Sequence, residues 1–133
     1  NDLTPRQSVI QGGVVEVPRS PDGHFYLSLD VNGVPTRFVV DTGASAIVLS
    51  AADAAAAGID TDALIFSGRA NTANGSVETA PARLASLALG EIVDTDVRVI
   101  VNGGDMQGSL LGMTYLNRFS RLEISDGRLI LQR

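Results

Sequence analysis

The sequence predicts an all-β domain, a closed and tightly turned barrel with one or two short helices. Three features predict it: hairpin-type dipeptides at Asn32-Gly33, Asn74-Gly75 and Asp126-Gly127, apolar residues that alternate between such turns, and a single alanine-rich helical run, Ala51 to Ala57. Fourteen glycines in 133 residues suit a chain that turns this often.

From His24 to Val31 the apolar Phe25, Leu27, Leu29 and Val31 alternate with Tyr26, Ser28 and Asp30, the period of a half-buried strand. Asn32-Gly33 supplies the two positive-φ residues of a type I′ turn, so Val34 to Val40 should fold back antiparallel. Phe38, Val39 and Val40 are consecutive and apolar, as in a strand buried on both faces. That run ends at Asp41, a turn follows over Thr42-Gly43-Ala44-Ser45, and Ala46 to Leu49 is a second apolar run. Ser50 reads as an N-cap, Asp53 as a first-turn acid and Gly58 as a stop, giving a helix of about two turns. The polar stretch 70–79 reads as an exposed hairpin with Asn74-Gly75 at its tip. Arg83 to Leu89 and Val97 to Val101 are further strands, and Leu110-Leu111-Gly112-Met113 precedes a short helical stretch, Thr114 to Asn117. Asp126-Gly127 joins Leu122-Glu123-Ile124 to Leu129-Ile130-Leu131 as the last hairpin.

The length and composition fit one domain. All ten basic residues are Arg; Lys, Cys and Trp are missing, and His24 is the one histidine. A Lys Schiff base, a Cys nucleophile, a thiolate metal site and a His cluster are therefore excluded, and neither a metal nor a cofactor is expected. Eleven Asp and four Glu remain as the chemically useful groups. A net charge of −5 with scattered Arg residues argues against nucleic acid as a partner. No apolar run approaches the ~18 residues of a membrane span. The start at Asn1 suggests that an upstream segment has been removed, so residues 1–23 read as an N-terminal segment or strand following a removed anchor, and 24–133 as the folded domain.

The chemistry gathers at Asp41. Two β-branched residues lead straight into an acid at the edge of the core, then Thr42 and a glycine that lets the chain turn sharply. A carboxylate placed there needs partners, because burying it alone costs several kcal/mol. Read blandly, the same Asp caps its own turn, and a D-[ST]-G triplet arises by chance in roughly one chain of this length in fifteen. The second element, Leu110-Leu111-Gly112 about seventy residues downstream and before a short helix, changes that balance.

Together, His24-Phe25-Tyr26, Asn32-Gly33, Phe38 to Ser50, Asn74-Gly75 and Leu110 to Leu116, in this order along the chain, resemble the retropepsin-like aspartic proteases, most closely the bacterial single-domain type of clan AA. The resemblance covers residues 24 to 131 and implies a closed retropepsin-like barrel that works as a two-fold homodimer on protein or peptide substrates. Hydrolysis without metal or covalent nucleophile needs one carboxylate to take a proton from water while a neighbouring carboxylic acid polarises the carbonyl. Two carboxyls in contact share one proton, the familiar behaviour of aspartic protease dyads. This chain holds one D-[ST]-G, since Asp94-Thr95-Asp96 lacks the glycine and Ser125-Asp126-Gly127 reads as a turn, so the second acid must come from a second copy.

By the same resemblance Asp41 is the catalytic acid or base, and Thr42 bonds across the dimer beneath the dyad. Gly43 keeps the loop close to substrate beside Ala44, Ser45 bonds the outer carboxylate oxygen, and Leu111 with Gly112 supports the loop from behind. Asn74 and Gly75 are flap candidates, although the stretch lacks the glycine-dense tip of viral flaps and reads equally as an ordinary exposed hairpin. In viral relatives interleaved terminal strands hold the dimer; Arg128 to Leu131 and Val14 to Val17 could serve so, or could pair within the subunit. Bacterial relatives imply a domain on the periplasmic side of the inner membrane, with membrane attachment only through a segment absent from this chain. Two alternatives stay open: a catalytically weak or inactive peptide-binding or dimerisation module of the same fold, and a serine hydrolase built on His24.

Overall fold

The computed structural model describes residues 8–10, 13–72 and 75–133. Eleven strands and two short α-helices make up the described chain: β1 (Ser8–Ile10), β2 (Val14–Pro18), β3 (Tyr26–Val31), β4 (Val34–Val40), β5 (Ile47–Ser50), α1 (Ala51–Ala56), β6 (Gly68–Thr72), β7 (Gly75–Leu89), β8 (Ile92–Asn102), β9 (Ser109–Leu111), α2 (Met113–Leu116), β10 (Arg121–Ser125) and β11 (Arg128–Gln132). One turn of 3-10 helix lies at Thr61–Ala63.

The barrel follows the order β3-β4-β9-β5-β8-β7 and closes where β3 pairs with β7, Asp30 opposite Ala88 and Val31 opposite Leu87. Closure comes from the alternation in β3. Leu27, Leu29 and Val31 are buried while Ser28 and Asp30 face out, and Phe38, Leu49, Leu84 and Val99 fill the same core. Asn32 and Gly33 adopt φ of 51° and 85°, and Val31 pairs with Val34, which is the two-residue hairpin that the sequence requires. The Asn32 side chain then ties the barrel seam. Its Oδ1 accepts from the Ala85 and Ser86 amides at 2.8 and 3.2 Å, and its Nδ2 donates to the Ala57 carbonyl at 3.2 Å.

The helix at α1 begins as the sequence implies. The Ser50 hydroxyl accepts from the Asp53 amide at 3.0 Å, and the chain leaves the helix through Gly58 at φ 87°. The stretch read as Arg83 to Leu89 is the end of the long strand β7, and β7 turns into β8 through Gly90 and Glu91, a hairpin with no strong dipeptide to announce it. The second helix covers Met113–Leu116, one residue earlier than read. Val39 and Val40 are half-buried, not buried on both faces as expected, because Val39 borders an open cleft beside His24 and Tyr26.

A second sheet, β1-β2-β11-β10, packs on the barrel. Here the two segments proposed for a dimer interface pair with each other within the subunit, Leu129 opposite Val17 and Leu131 opposite Val15, with all four side chains in the core. The apolar stripe of β11 is therefore covered internally, and β10 occupies its other edge. No helix among the described residues is long and apolar enough to cross a membrane.

Arg133 fastens this sheet to the barrel. Its guanidinium lies 4.6 Å from the Phe119 ring centre and makes two bonds to Asp94 of β8 at 3.1 and 2.5 Å, with Arg118 3.3 Å from the same carboxylate. Burial opposes ionisation of Asp94, but Arg133 and then Arg118 outweigh it and hold the carboxyl below its usual value of 3.8. A lowered folded-state value stabilises the fold above the unfolded value and loses that contribution as pH falls through the folded one. Asp94→Asn should therefore cost about 2 kcal/mol in urea unfolding near neutral pH, and the gap to the parent should narrow in acid. A gap that stays constant with pH would count against the clamp.

Candidate active site

Asp41 emerges where three strands meet. β9 runs parallel to β4 and antiparallel to β5, lying between them, with Val40 opposite Leu111 and Ile47 also opposite Leu111. The connection from β4 to β5, residues 41 to 46, must therefore pass over the end of β9. It does so at Gly112, whose amide donates to the Ala46 carbonyl at 2.9 Å. A Cβ on Gly112 would lie 2.4 Å from the Ala46 carbonyl oxygen and 2.7 Å from that of Ala44, so no other residue fits beneath the crossing.

The loop is then fastened bond by bond. Asp41 donates its amide to the Leu111 carbonyl at 3.0 Å and accepts from the Ala44 amide at 3.2 Å, while the Met113 amide bonds the Ala44 carbonyl at 2.8 Å. Ser45 takes part through its carbonyl oxygen, which accepts from the Thr114 amide at 2.7 Å and the Thr114 hydroxyl at 2.8 Å. The bond expected from the Ser45 hydroxyl to the outer carboxylate oxygen is not formed. Instead the Gly43 amide donates to Asp41 Oδ1 at 2.9 Å, closing a small turn around the acid. A Cβ on Gly43 would sit 3.3 Å from that oxygen. Asp41 and Ala44 are half-buried, Thr42, Gly43 and Ser45 are exposed, and Leu111 is fully buried behind them. The carboxylate is thus held on a rigid backbone with its approach side open.

The two other acids in triplets of similar sequence have structural work. Asp94 is clamped by arginines as described, and Asp126 with Gly127 forms the β10–β11 turn at φ of 52° and 70°. Gly75 does not form the tip of its hairpin, as the sequence suggested, but pairs with Thr72 as the first residue of β7. Asn74 lies outside the described residues. The base of this ribbon is anchored, because the Gly103 amide donates to the Glu78 carbonyl at 2.8 Å and a Cβ on Gly104 would strike Val77 at 2.7 Å.

A cleft of about 320 Å³ opens between β4 and the start of β9, lined by His24, Tyr26, Arg37, Val39 and Ser109 among others. Val39 is the last residue but one of β4, so the cleft reaches to within two residues of Asp41 along the chain. At its rim the Arg37 guanidinium stacks 3.8 Å from the Tyr26 ring centre, and the Tyr26 hydroxyl donates to Asp22. That hydroxyl, and then the His24 amide, hold the Asp22 carboxyl below its ordinary value. Ser109 was missed in the sequence, where nothing marks it. Its hydroxyl donates to Asp53 Oδ2 at 2.6 Å and accepts from the Ser50 amide at 3.0 Å, bracing β9 against α1. With its hydroxyl donating to the Asp53 carboxylate and 2% exposure, Ser109 is no partner for His24 as a nucleophile, and the serine hydrolase alternative finds no support at this cleft.

Residues 27–118 match the family model described as "gag-polyprotein putative aspartyl protease". The chain belongs to the retropepsin-like aspartic protease family. A crystal structure of a retropepsin-like aspartic protease from Rickettsia conorii superposes with a TM-score of 0.83 at 40% identity, covering 90% of this chain and 98% of that one. The protease of equine infectious anaemia virus (EIAV), solved with an inhibitor, shares the fold with a TM-score of 0.63 at 20% identity, over 77% of this chain and 93% of that one. An uncharacterized protein of Rickettsia prowazekii is 40% identical over 90% of this chain and 51% of its own length, and one from a Sinorhizobium species is 35% identical over 84% and 48%. The chain spans about half the length of these curated relatives. Within this retropepsin-like domain, Gly112→Ala should cost about 3 kcal/mol or more in chemical denaturation, since two carbonyls must move and their bonds break. An unchanged midpoint would show that the crossing relaxes without strain.

Proposed function

We propose that this retropepsin-like domain is an aspartic endopeptidase, with its active centre formed by Asp41 from each of two copies. The observation that carries this reading is a half-buried carboxylate fixed by the Gly43 amide on the rigid crossing over Gly112, with both similar acids occupied elsewhere. In the dimer the two carboxyls share one proton; the ionised one takes a proton from water, and the protonated one donates to the scissile carbonyl. Thr42, exposed at the loop, would bond across the two-fold axis, and the cleft beside Val39 would receive a side chain of the extended peptide. The β6–β7 ribbon would close over the peptide and exclude water. Periplasmic location and membrane attachment through an upstream segment belong to the same proposal and rest on family resemblance alone.

β2 and β11, the two segments offered by the sequence as interleaving strands, are paired with each other within the subunit. That favours a second reading, a catalytically weak or inactive module of this fold that binds peptides or dimerises. Mixing separates the two. Asp41→Asn alone should lower cleavage of an unfolded protein by about 10³-fold. Added in equal amount to a fixed amount of parent, it should also reduce the activity by about half, since half of the parent chains then sit in mixed pairs. Parent activity unaffected by the variant would mean that one chain suffices, and equal cleavage by both proteins would remove Asp41 from catalysis.

A further inference from the structure

Beyond the Asp41 loop, the outer face of the β7–β8 ribbon carries a second, larger groove of about 660 Å³. It is continuous with the loop, since Ala46 and Ile47 form one wall and Thr114, which holds the Ser45 carbonyl, stands beside them. Its lining is basic. Arg83, Arg98 and Arg118 face it against one carboxylate, Asp96, in a chain whose net charge is −5.

The arrangement is electrostatically unfavourable for the fold itself. Arg83 and Arg98 are direct cross-strand partners, and like charges in that position repel. Asp96 bonds Arg83 at 2.9 Å, with both side chains more than half exposed, so the pair is a weak surface contact. Arg118 is held by Asp94, which does not line the groove. Arg98 is exposed and has no ion-pair partner among the described residues.

We infer that this groove binds an acidic side chain of the polypeptide substrate, with Arg98 as the principal contact and Arg83 as its neighbour. The inference rests on the reading of Asp41 as a peptidase acid, which places the substrate at a loop whose far end, Ala46, lines the groove. A guanidinium pair matches a carboxylate in both charge and fork geometry, and an incoming Asp or Glu would relieve the Arg83–Arg98 repulsion. Arg98 is a specificity residue that touches substrate away from the scissile bond.

A proteome-derived peptide library digested by the parent and by Arg98→Glu, with the cleavage windows sequenced, tests this. The parent should enrich Asp and Glu about fivefold at one position to one side of the cut, and Arg98→Glu should replace that preference with Lys or Arg. Arg83→Gln, as a milder change, should weaken the acidic preference without inverting it. No acidic enrichment by the parent, or the same enrichment by Arg98→Glu, overturns the groove. If the parent cleaves nothing, the peptidase reading fails while the groove is still measured. A short fluorescein-labelled peptide alternating Ala with Glu should bind the full chain about tenfold tighter at low salt than its Ala-Gln counterpart, and Arg98→Glu should abolish the difference. Equal binding of the two peptides by the parent refutes the inference.

Discussion

The position of β9 between β4 and β5 is the constraint on which the rest of the molecule depends. A connection between two strands that flank a third must cross that third strand's end, and here the crossing chain carries Asp41. The crossing is possible because residue 112 has no Cβ, and it is rigid because the carbonyls of Ala44, Ser45 and Ala46 are all bonded to amides of residues 112 to 114. A carboxylate on such a loop loses little freedom when a substrate or a second carboxylate arrives.

The barrel supplies the frame for that crossing at several independent points. Asn32 ties the β3–β4 turn to β7 and α1, the Ser109 hydroxyl ties β9 to α1 through Asp53, and Arg133 ties the outer sheet to β8 through Asp94. Each is a polar contact between segments far apart in the chain. The acids are sorted by these contacts: Asp94 and Asp53 are bonded by side chains of other segments, whereas Asp41 accepts from an amide of its own loop and keeps an open side.

The two hollows differ in character. The smaller one borders Val39, two residues before Asp41, and mixes aromatic, aliphatic and charged residues. The larger one lies beyond Ala46 and is basic against the average charge of the chain. Arg83 and Arg98 stand directly opposite one another on adjacent strands, a placement in which like charges repel.

What the sequence determined by itself was local. The Asn32-Gly33 and Asp126-Gly127 turns, the alternation through β3, the Ser50 cap and the pairing of Asp41-Thr42-Gly43 with Leu110-Leu111-Gly112 are set by backbone conformational preference and short-range periodicity, and were legible there. The retropepsin-like family followed from the two motifs. The Ser45 contact was misjudged because a side-chain partner and a carbonyl partner look alike in a one-letter string. The ends of the chain could not be placed either, since Val14–Val17 and Arg128–Leu131 are suitable edges for pairing within or between copies. Only the tertiary structure decided that they pair with each other. It also brought together arginines that are scattered in sequence at 83, 98 and 118, because an antiparallel register sets residues fifteen apart directly opposite one another. Such cross-strand neighbours leave no periodic trace along the chain, and for that reason the basic groove appears only once the strands are paired.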